Sequence, residues 1–377
     1  MVNIVIKIRK LIIFVLFNLV AVILLFALGE GLASLTLFVQ MVSGSAVVAE
    51  RSHTQYDPEL GWVNRPNLLI KDLYGPGLDL QTNSQGFRNR EDFSQAVPPD
   101  KVRVICSGDS FTLGYGVGND QTWCQLLASL DPRFQPVNMG QGGYGVDQAY
   151  LWYKRDGLKL DHDLQLFAFI TTDFERMEQR EFLGYGKPHL TLTEGQLGVE
   201  NVPVPERAFF APWLTQNREA IQRLRSMQLL SQFFQAEVTS EPLPSTDSTI
   251  TPPEKVAAAI LKELLALNAQ KGSTLVLVYL PTLGDYEVDP QSSTERWRAF
   301  LKVATQDTGV IFIDLIEPFR DLPLAEAQRL FIPEGAVVFP GATGHYSVGG
   351  NQYIAQSLYE ALSALPVVTN RLAEVEP

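Results

Sequence analysis

Short apolar runs alternate with stretches of helical periodicity from residue 101 to residue 362, and this alternation constrains the fold most. The apolar runs are residues 102–106, 136–139, 164–170, 273–280 and 310–315. The helical stretches are residues 121–130, 146–154, 254–271, 293–305 and 348–362. Strands that alternate with helices form a parallel sheet with helices on both faces, and near-continuous apolar strands are buried on both sides. The sequence therefore predicts an α/β domain.

The N-terminal segment predicts a membrane helix. Residues 11–28 carry no charge, and Asn18 is their only strongly polar side chain. This length is close to the ~20 apolar residues that cross a bilayer core as a helix. Lys7, Arg9 and Lys10 precede the segment, so the positive-inside rule keeps the N-terminus in the cytoplasm. We expect a single-pass anchor with the rest of the chain outside the cytoplasm.

Two other interpretations of this segment stay open. A cleaved signal peptide normally has an apolar region of ~7–15 residues, whereas here apolar residues continue through Val39. A buried core helix this apolar on all sides would need a large partner surface. The sequence favours the uncleaved anchor over both.

The remaining chain divides into an anchor over residues 1–40, a lead-in over 41–100, the α/β domain over 101–365 and a tail over 366–377. The lead-in is rich in turn residues and predicts short strands and loops. An insertion over residues 174–253 interrupts the α/β pattern. It contains an amphipathic stretch at 215–237 and a Pro/Ser/Thr-rich stretch at 239–253, which is typical of a mobile loop.

Composition excludes several classes of function. The formal net charge is -12 and no long Lys/Arg run occurs, which argues against nucleic-acid binding. Four His and two Cys, without CxxC or HExxH spacing, argue against a zinc site, and no organic cofactor is indicated. Cys106 and Cys124 lie on the first strand and the following helix. A disulfide between them is one interpretation, and two reduced, buried thiols are the favoured one.

A serine follows the first strand of the α/β domain. Ligands bind at the carboxyl ends of parallel strands, and the first such end reads SGDSFT, with Ser110 in the turn, followed by Gly114, Gly116 and Gly118. A serine in a tight turn between strand and helix can present its hydroxyl there, and its amide can donate to an oxyanion. A phosphate cradle is weakly indicated, because no GxxxxGK[ST] follows. A plain structural turn stays open.

Ser110 needs a base, because an unaided serine hydroxyl is a poor nucleophile. His345 lies in GATGHYSVGG, between the last strand and the last helix, which places it at the same sheet edge. His53 lies upstream of the sheet, His162 in an exposed-looking DHD turn and His189 in the insertion. We therefore predict that Ser110 and His345 pair as nucleophile and base.

Four sequence blocks in order resemble the GDSL/SGNH hydrolases. They are SGDSFT, NMGQGGYG, a strand ending in TTDF, and GHYSVGGNQYIA, and the resemblance covers about residues 102–362. YDPELGW and TNSQGFRN are similar to the lead-in of membrane-anchored or secreted bacterial members. The resemblance implies a three-layer α/β/α sandwich with a parallel flavodoxin-like sheet. Its members are mostly esterases, lipases, thioesterases and carbohydrate O-acetylesterases, with some acyltransferases.

The resemblance also implies roles for individual residues. Ser110 matches the nucleophile, with its amide as one oxyanion donor. Gly143 best matches the glycine whose amide is the second donor, with Gly142 and Gly140 as alternative registers. Asp173 matches the last residue of the third block and is expected to support the site.

This chain departs from the family pattern at two places. Thr172 replaces the asparagine that supplies the third oxyanion donor, and its hydroxyl is shorter than an amide. Loss of one such donor typically lowers kcat by ~10²–10³. The positions just before His345 are Ala342 and Thr343 instead of an aspartate. Glu334 or another acid could substitute for it.

The first hypothesis is a serine-dependent, esterase-like hydrolase that acts on an acyl ester, O-acetyl esters and acylated carbohydrates included, outside the cytoplasm. One alternative is a catalytically weakened, membrane-tethered module that binds a glycan or a protein. Another is an O-acyltransferase that acts on a polysaccharide. The substrate and the oligomeric state are left open.

Several other residues are given structural interpretations. Asp109 is expected to make a turn hydrogen bond in support of the site, and Asp147 to be structural. Arg88 could line the site entrance, although a structural salt bridge is favoured. Most of the tryptophans are expected to pack in the core or on the surface: Trp62, Trp123, Trp152, Trp213 and Trp297.

Overall fold

Five parallel strands form the central sheet in a computed structural model of the chain. The structure describes residues 2–42, 53–182, 185–205 and 253–375, with three single positions between 206 and 252. The sheet strands are β5 (Val102–Gly108), β6 (Phe134–Gly140), β7 (Leu164–Phe169), β12 (Thr274–Tyr279) and β13 (Ile311–Asp314). The shorter strands, which pair in antiparallel hairpins, are β1 (Thr54–Asp57), β2 (Gly61–Asn64), β3 (Leu69–Ile70), β4 (Leu80–Gln81), β8 (Glu181–Phe182), β9 (Tyr185–Gly186), β10 (His189–Thr193) and β11 (Gln196–Glu200).

The sheet has the strand order of flavodoxin. From one edge the strands run β6-β5-β7-β12-β13, which is 2-1-3-4-5 when the five are numbered along the chain. Val104 pairs with both Pro136 and Leu164, so β5 lies between β6 and β7. The order reverses at β5 and β7, and ligands of open α/β sheets bind in the crevice at such a reversal.

Helices cover both faces of the sheet. The helices after the N-terminal one are α2 (Ser110–Leu113), α3 (Trp123–Leu130), α4 (Val146–Arg155), α5 (Thr171–Met177), α6 (Pro253–Lys271), α7 (Ser293–Thr305), α8 (Ile316–Arg320), α9 (Leu324–Arg329), α10 (Val348–Ser363) and α11 (Pro366–Val375). Alternate strand residues point to opposite faces: Ile105 packs with α4, α6 and α7, whereas Val104 packs with α3, α10 and α11. These layers confirm the predicted three-layer α/β/α fold.

The lead-in packs against the sheet domain. Leu80 and Tyr74 are buried together with Leu113 and Tyr115 from the segment that follows Ser110. Residues 53–100 contain the short strands β1–β4 and the loops between them. The predicted stretches at 215–237 and 239–253 lie outside the described residues, apart from isolated positions and Pro253.

The N-terminal helix α1 (Val2–Val42) contains a segment long and apolar enough to cross a membrane. The most apolar 18-residue window of this segment, Arg9–Thr36, has a mean hydropathy of 3.2, and none of that window is buried. The interpretation as a buried core helix is therefore wrong. A signal sequence would have the same length and apolar character.

Two expectations about single residues are corrected. Cys106 and Cys124 form a disulfide, not the favoured pair of reduced thiols, because β5 and α3 place their Cα atoms 6.3 Å apart. His162 is buried and not in an exposed turn, since its ring hydrogen-bonds Tyr153 (2.9 Å) and Ser273 (3.1 Å). The described tryptophans are all buried, in agreement with the packing interpretation.

Candidate active site

Ser110 lies at the first position of α2, directly after β5. Asp109 caps this helix, because its Oδ1 accepts a hydrogen bond from the amide of Phe111 at 2.8 Å. The chain turns sharply at Gly108, where a Cβ would lie 2.3 Å from Oγ1 of Thr112 and 2.5 Å from the carbonyl oxygen of Ala168. Only glycine permits this approach. Ser110 is therefore held at the reversal between β5 and β7.

His345 meets Ser110 at this edge. The Nε2 atom of His345 lies 2.7 Å from Oγ of Ser110. Two backbone hydrogen bonds hold the histidine: the Ile332 amide donates to the His345 carbonyl at 2.8 Å, and the His345 amide donates to the Ala342 carbonyl at 3.0 Å. Its ring also stacks on Phe111, with ring centroids 4.5 Å apart. The structure thus brings the predicted nucleophile and base together.

The electrostatic surroundings favour a neutral His345. Burial lowers its pKa to about 4, the Asp109 carboxylate opposes this shift and the Arg176 guanidinium adds to it. The backbone of Thr343 and Ala342 raises the pKa of His345, and no described side chain hydrogen-bonds Nδ1. Glu334 is exposed, and no described carboxylate bonds this nitrogen. The described residues therefore form a Ser–His pair without an acid on the ring's far side.

The loop after β6 carries the predicted second oxyanion donor. Gly143 has a left-handed backbone (φ 76°), and a Cβ there would lie 2.5 Å from the ring of Phe182. No described residue accepts a hydrogen bond from its amide. The alternative glycines are held by the lead-in: Trp62 Nε1 donates to the Gly142 carbonyl at 2.9 Å, and Asn64 donates to that of Gly140 at 3.2 Å.

Thr172 lies in the first turn of α5, and its side chain is exposed. Among the described residues it makes no hydrogen bond to Ser110. The preceding residue, Thr171, is buried instead and bonds Tyr279 (3.0 Å) and Thr294 (2.8 Å). The donor roles of Gly143 and Thr172 stay predictions.

Arg176 joins the two predicted supporting carboxylates and was not predicted. Its Nη1 lies 2.7 Å from Oδ1 of Asp173 and 3.3 Å from Oδ2 of Asp109. That same Asp109 oxygen lies 3.4 Å from Oγ of Ser110. Burial, and then the Asp109 charge, raise the pKa of Asp173 well above its usual range. The i,i+3 spacing of Asp173 and Arg176 was the available signal in the sequence.

Arg88 is structural, but the expected salt bridge is not formed with any residue that the structure describes. The buried guanidinium donates to the carbonyls of Leu113 (2.7 Å), Gly114 (2.5 Å) and Val117 (2.5 Å), and to Oδ1 of Asn119. It therefore holds the glycine-rich loop after Ser110 and does not line an entrance.

Asp147 is structural as predicted, since it forms a fully buried ion pair with Lys187 at 2.7 Å. In the described part of the chain, no group of three or more His, Cys, Asp or Glu side chains is placed to hold a metal ion.

The chain is similar to several solved structures at low sequence identity. One is a member of the lipolytic protein G-D-S-L family from Veillonella parvula, with 12% identity, 70% of this chain and 100% of that chain covered, and a TM-score of 0.39. Another is the acetyl xylan esterase AlAXEase, with 13% identity, coverage of 69% and 100%, and a TM-score of 0.38. A third is a lipase/acylhydrolase from Enterococcus faecalis, with 13% identity, coverage of 69% and 95%, and a TM-score of 0.36. No family model and no curated protein matches the chain.

Proposed function

We propose that this chain is a membrane-anchored serine ester hydrolase of the GDSL/SGNH type, with Ser110 as nucleophile and His345 as base. The observation that carries the proposal is the 2.7 Å contact between His345 Nε2 and Ser110 Oγ. A nucleophile and a base within hydrogen-bond reach are the signature of an activated serine.

The chemistry follows from this pair. The oxygen of Ser110 attacks the acyl carbon of the ester while its proton passes to Nε2 of His345. The tetrahedral intermediate then expels the alcohol, which takes that proton from His345, and leaves an acyl group on Ser110. His345 next removes a proton from water, which attacks the acyl group and releases the acid. Ser110 and neutral His345 are regenerated.

The intermediate carries a negative oxygen that needs hydrogen-bond donors. The backbone amides of Ser110 and Gly143 are the first two donors in this proposal, and the hydroxyl of Thr172 is the third. Since Thr172 is exposed at the start of α5, a bound substrate can reach it. A hydroxyl donor in place of an amide predicts slower turnover.

The proposed site of action lies outside the cytoplasm, with Arg9–Thr36 as an uncleaved anchor. Lys7, Arg9 and Lys10, which precede the uncharged residues 11–28, support that orientation. The proposed substrates are acyl esters, including O-acetyl groups on carbohydrates.

The test is hydrolysis of p-nitrophenyl acetate by the full-length protein in detergent micelles. We expect Ser110→Ala and His345→Ala each to lower kcat at least ~10³-fold, because either change removes the acyl-transfer pair. Ser94→Ala and His189→Ala are matched controls at positions away from the pair and should keep the wild-type rate.

Two outcomes would change the proposal. Equal rates in the wild type and both site variants would exclude the hydrolase function and favour the glycan- or protein-binding module. Acetyl transfer to an added polysaccharide, with little free acetate, would replace hydrolysis by O-acyl transfer.

A further inference from the structure

We infer that Arg176 is a positioning residue of this site, which neutralises Asp109 so that the Ser110 hydroxyl donates to His345. The inference rests on the proposed function, and it adds a residue that the sequence blocks do not contain. Because Arg176 lies at the start of the insertion (residues 174–253), this part of the insertion then contributes to the site.

The guanidinium of Arg176 lies among three oxygen acceptors. Nη1 is 2.7 Å from Asp173, 3.3 Å from Asp109 and 3.3 Å from the carbonyl oxygen of Tyr144. Both carboxyl groups are buried, so the charge of Asp109 is weakly screened by water. The guanidinium of Arg176 thus contacts both carboxyl groups next to the proposed nucleophile.

The Ser110 hydroxyl has two acceptors within reach. Nε2 of His345 lies at 2.7 Å and Oδ2 of Asp109 at 3.4 Å. An ionised carboxylate is a stronger hydrogen-bond acceptor than a neutral group, so an unpaired Asp109 would compete for the hydroxyl. Its charge would also repel the oxyanion that forms at Ser110. The ion pair with Arg176 weakens both effects.

Arg176 is held in place by a buried ion pair from a different part of the chain. Lys187, which follows the β8–β9 hairpin, donates from Nζ to the carbonyl oxygen of Arg176 at 2.5 Å. The same Nζ lies 2.7 Å from Asp147 of α4, and both side chains are fully buried. The guanidinium also lies 5.0 Å from the ring centre of Phe182 in β8. These contacts leave it little freedom to leave the carboxylates.

The charges around His345 affect its protonation, so the effect of Arg176 can be measured by titration of the ring. Asp109 and Arg176 act on the ring in opposite directions. The ring of Tyr115 lies 5.3 Å away on another side, and its hydroxyl bonds the buried His53 at 3.1 Å. Because Asp109 is unopposed without Arg176, Arg176→Gln should make His345 easier to protonate.

The experiment titrates the His345 ring by NMR in the full-length protein in micelles, with His345→Gln to assign the signal. We expect Arg176→Gln to move the His345 midpoint upward by about one pH unit. The acidic limb of kcat/KM should move with it, and kcat should fall about 10- to 100-fold with little change in KM. Arg180→Gln is the matched control, since Arg180 pairs with Glu200 on the surface.

A second variant tests whether the shift depends on the charge of Asp109. Asparagine at position 109 keeps the helix cap but removes the charge, so Asp109→Asn should lower the His345 midpoint. In the double variant, Asp109→Asn should cancel the upward shift that Arg176→Gln produces. Arg176→Lys, which keeps the charge, should hold the midpoint near wild type and covers the case in which Arg176→Gln does not fold.

An unchanged midpoint in folded Arg176→Gln, or an equal shift with Asp109 already neutral, overturns the inference. So does a shifted midpoint in Arg176→Lys if Arg176→Gln is unfolded. An inactive wild-type protein would instead overturn the proposed function, while the NMR titration still decides the role of Arg176.

Discussion

Ser110 and His345 are 235 positions apart in the chain, yet their side chains form one hydrogen bond. The serine is fixed by a glycine that allows a sharp turn and by the Asp109 cap. The histidine is fixed by backbone bonds and by stacking on Phe111. Since no described carboxylate bonds the imidazole, packing and backbone geometry orient the proposed base.

The lowered pKa of His345 predicts activity that persists in acid. General-base catalysis needs the neutral ring, and burial lowers the pKa of His345 to about 4. As pH falls, the ring stays neutral until it nears that value and then gains a proton. We therefore expect kcat/KM for ester hydrolysis to stay level well below the ordinary histidine pKa of about 6.5 and to halve near pH 4. Stopped-flow measurement of kcat/KM across this pH range checks the prediction. A midpoint near the ordinary histidine pKa would contradict it.

At the scale of elements, the lead-in builds part of the site. Strand β2 supplies Trp62 and Asn64, which bond the carbonyls of the loop after β6. Arg88 supplies donors to the loop after α2. Both loops that flank Ser110 are therefore held by a segment that precedes the sheet in the chain.

Replacement of Arg88 tests this support. Arg88→Met leaves buried carbonyls without donors, and each unsatisfied group costs about 1–3 kcal/mol. We expect the free energy of unfolding to fall by about 3 kcal/mol, with loss of ester hydrolysis, as measured by urea denaturation and activity of the full chain. Arg90→Met is the control, because its pair with Asp120 is on the surface and contributes about 0–1 kcal/mol. Equal stability of the two variants would refute the structural role of Arg88.

At the scale of the whole molecule, the sheet and its covering helices were predictable. Long apolar runs buried on both faces leave a clear pattern, so the predicted strand at residues 164–170 is observed as Leu164–Phe169. The approach of Ser110 and His345 followed from the same topology, since Ser110 follows β5 and His345 lies between the last strand and α10.

Features that depend on tertiary contacts were not predictable in the same way. The role of Arg176 arises from two carboxylates on different elements, and its i,i+3 spacing to Asp173 indicates only one of them. The burial of His162 depends on partners in α4 and beside β12. The β8–β11 hairpins are short and partly polar, so they lack the periodicity by which longer strands are recognised.

The orientation of the chain is a prediction at this scale. We expect a C-terminal alkaline phosphatase fusion to be active in a bacterial host and a C-terminal GFP fusion to be dark, because the positive residues before the apolar segment stay in the cytoplasm. The mass of the protein extracted from membranes should equal that of the full-length chain, because we expect the N-terminal segment not to be cleaved. A fluorescent GFP fusion would reverse the orientation, and a shortened chain would identify a signal peptide.

The bond between Cys106 and Cys124 has a consequence for biogenesis. Such bonds form in oxidising compartments and are rare in the reducing cytosol. It links the strand that leads into Ser110 to the next long helix. In the proposed orientation, this bond would form only after the domain has crossed the membrane, where the cell's thiol oxidation machinery acts. Recombinant protein made in a reducing cytosol would lack this disulfide bond.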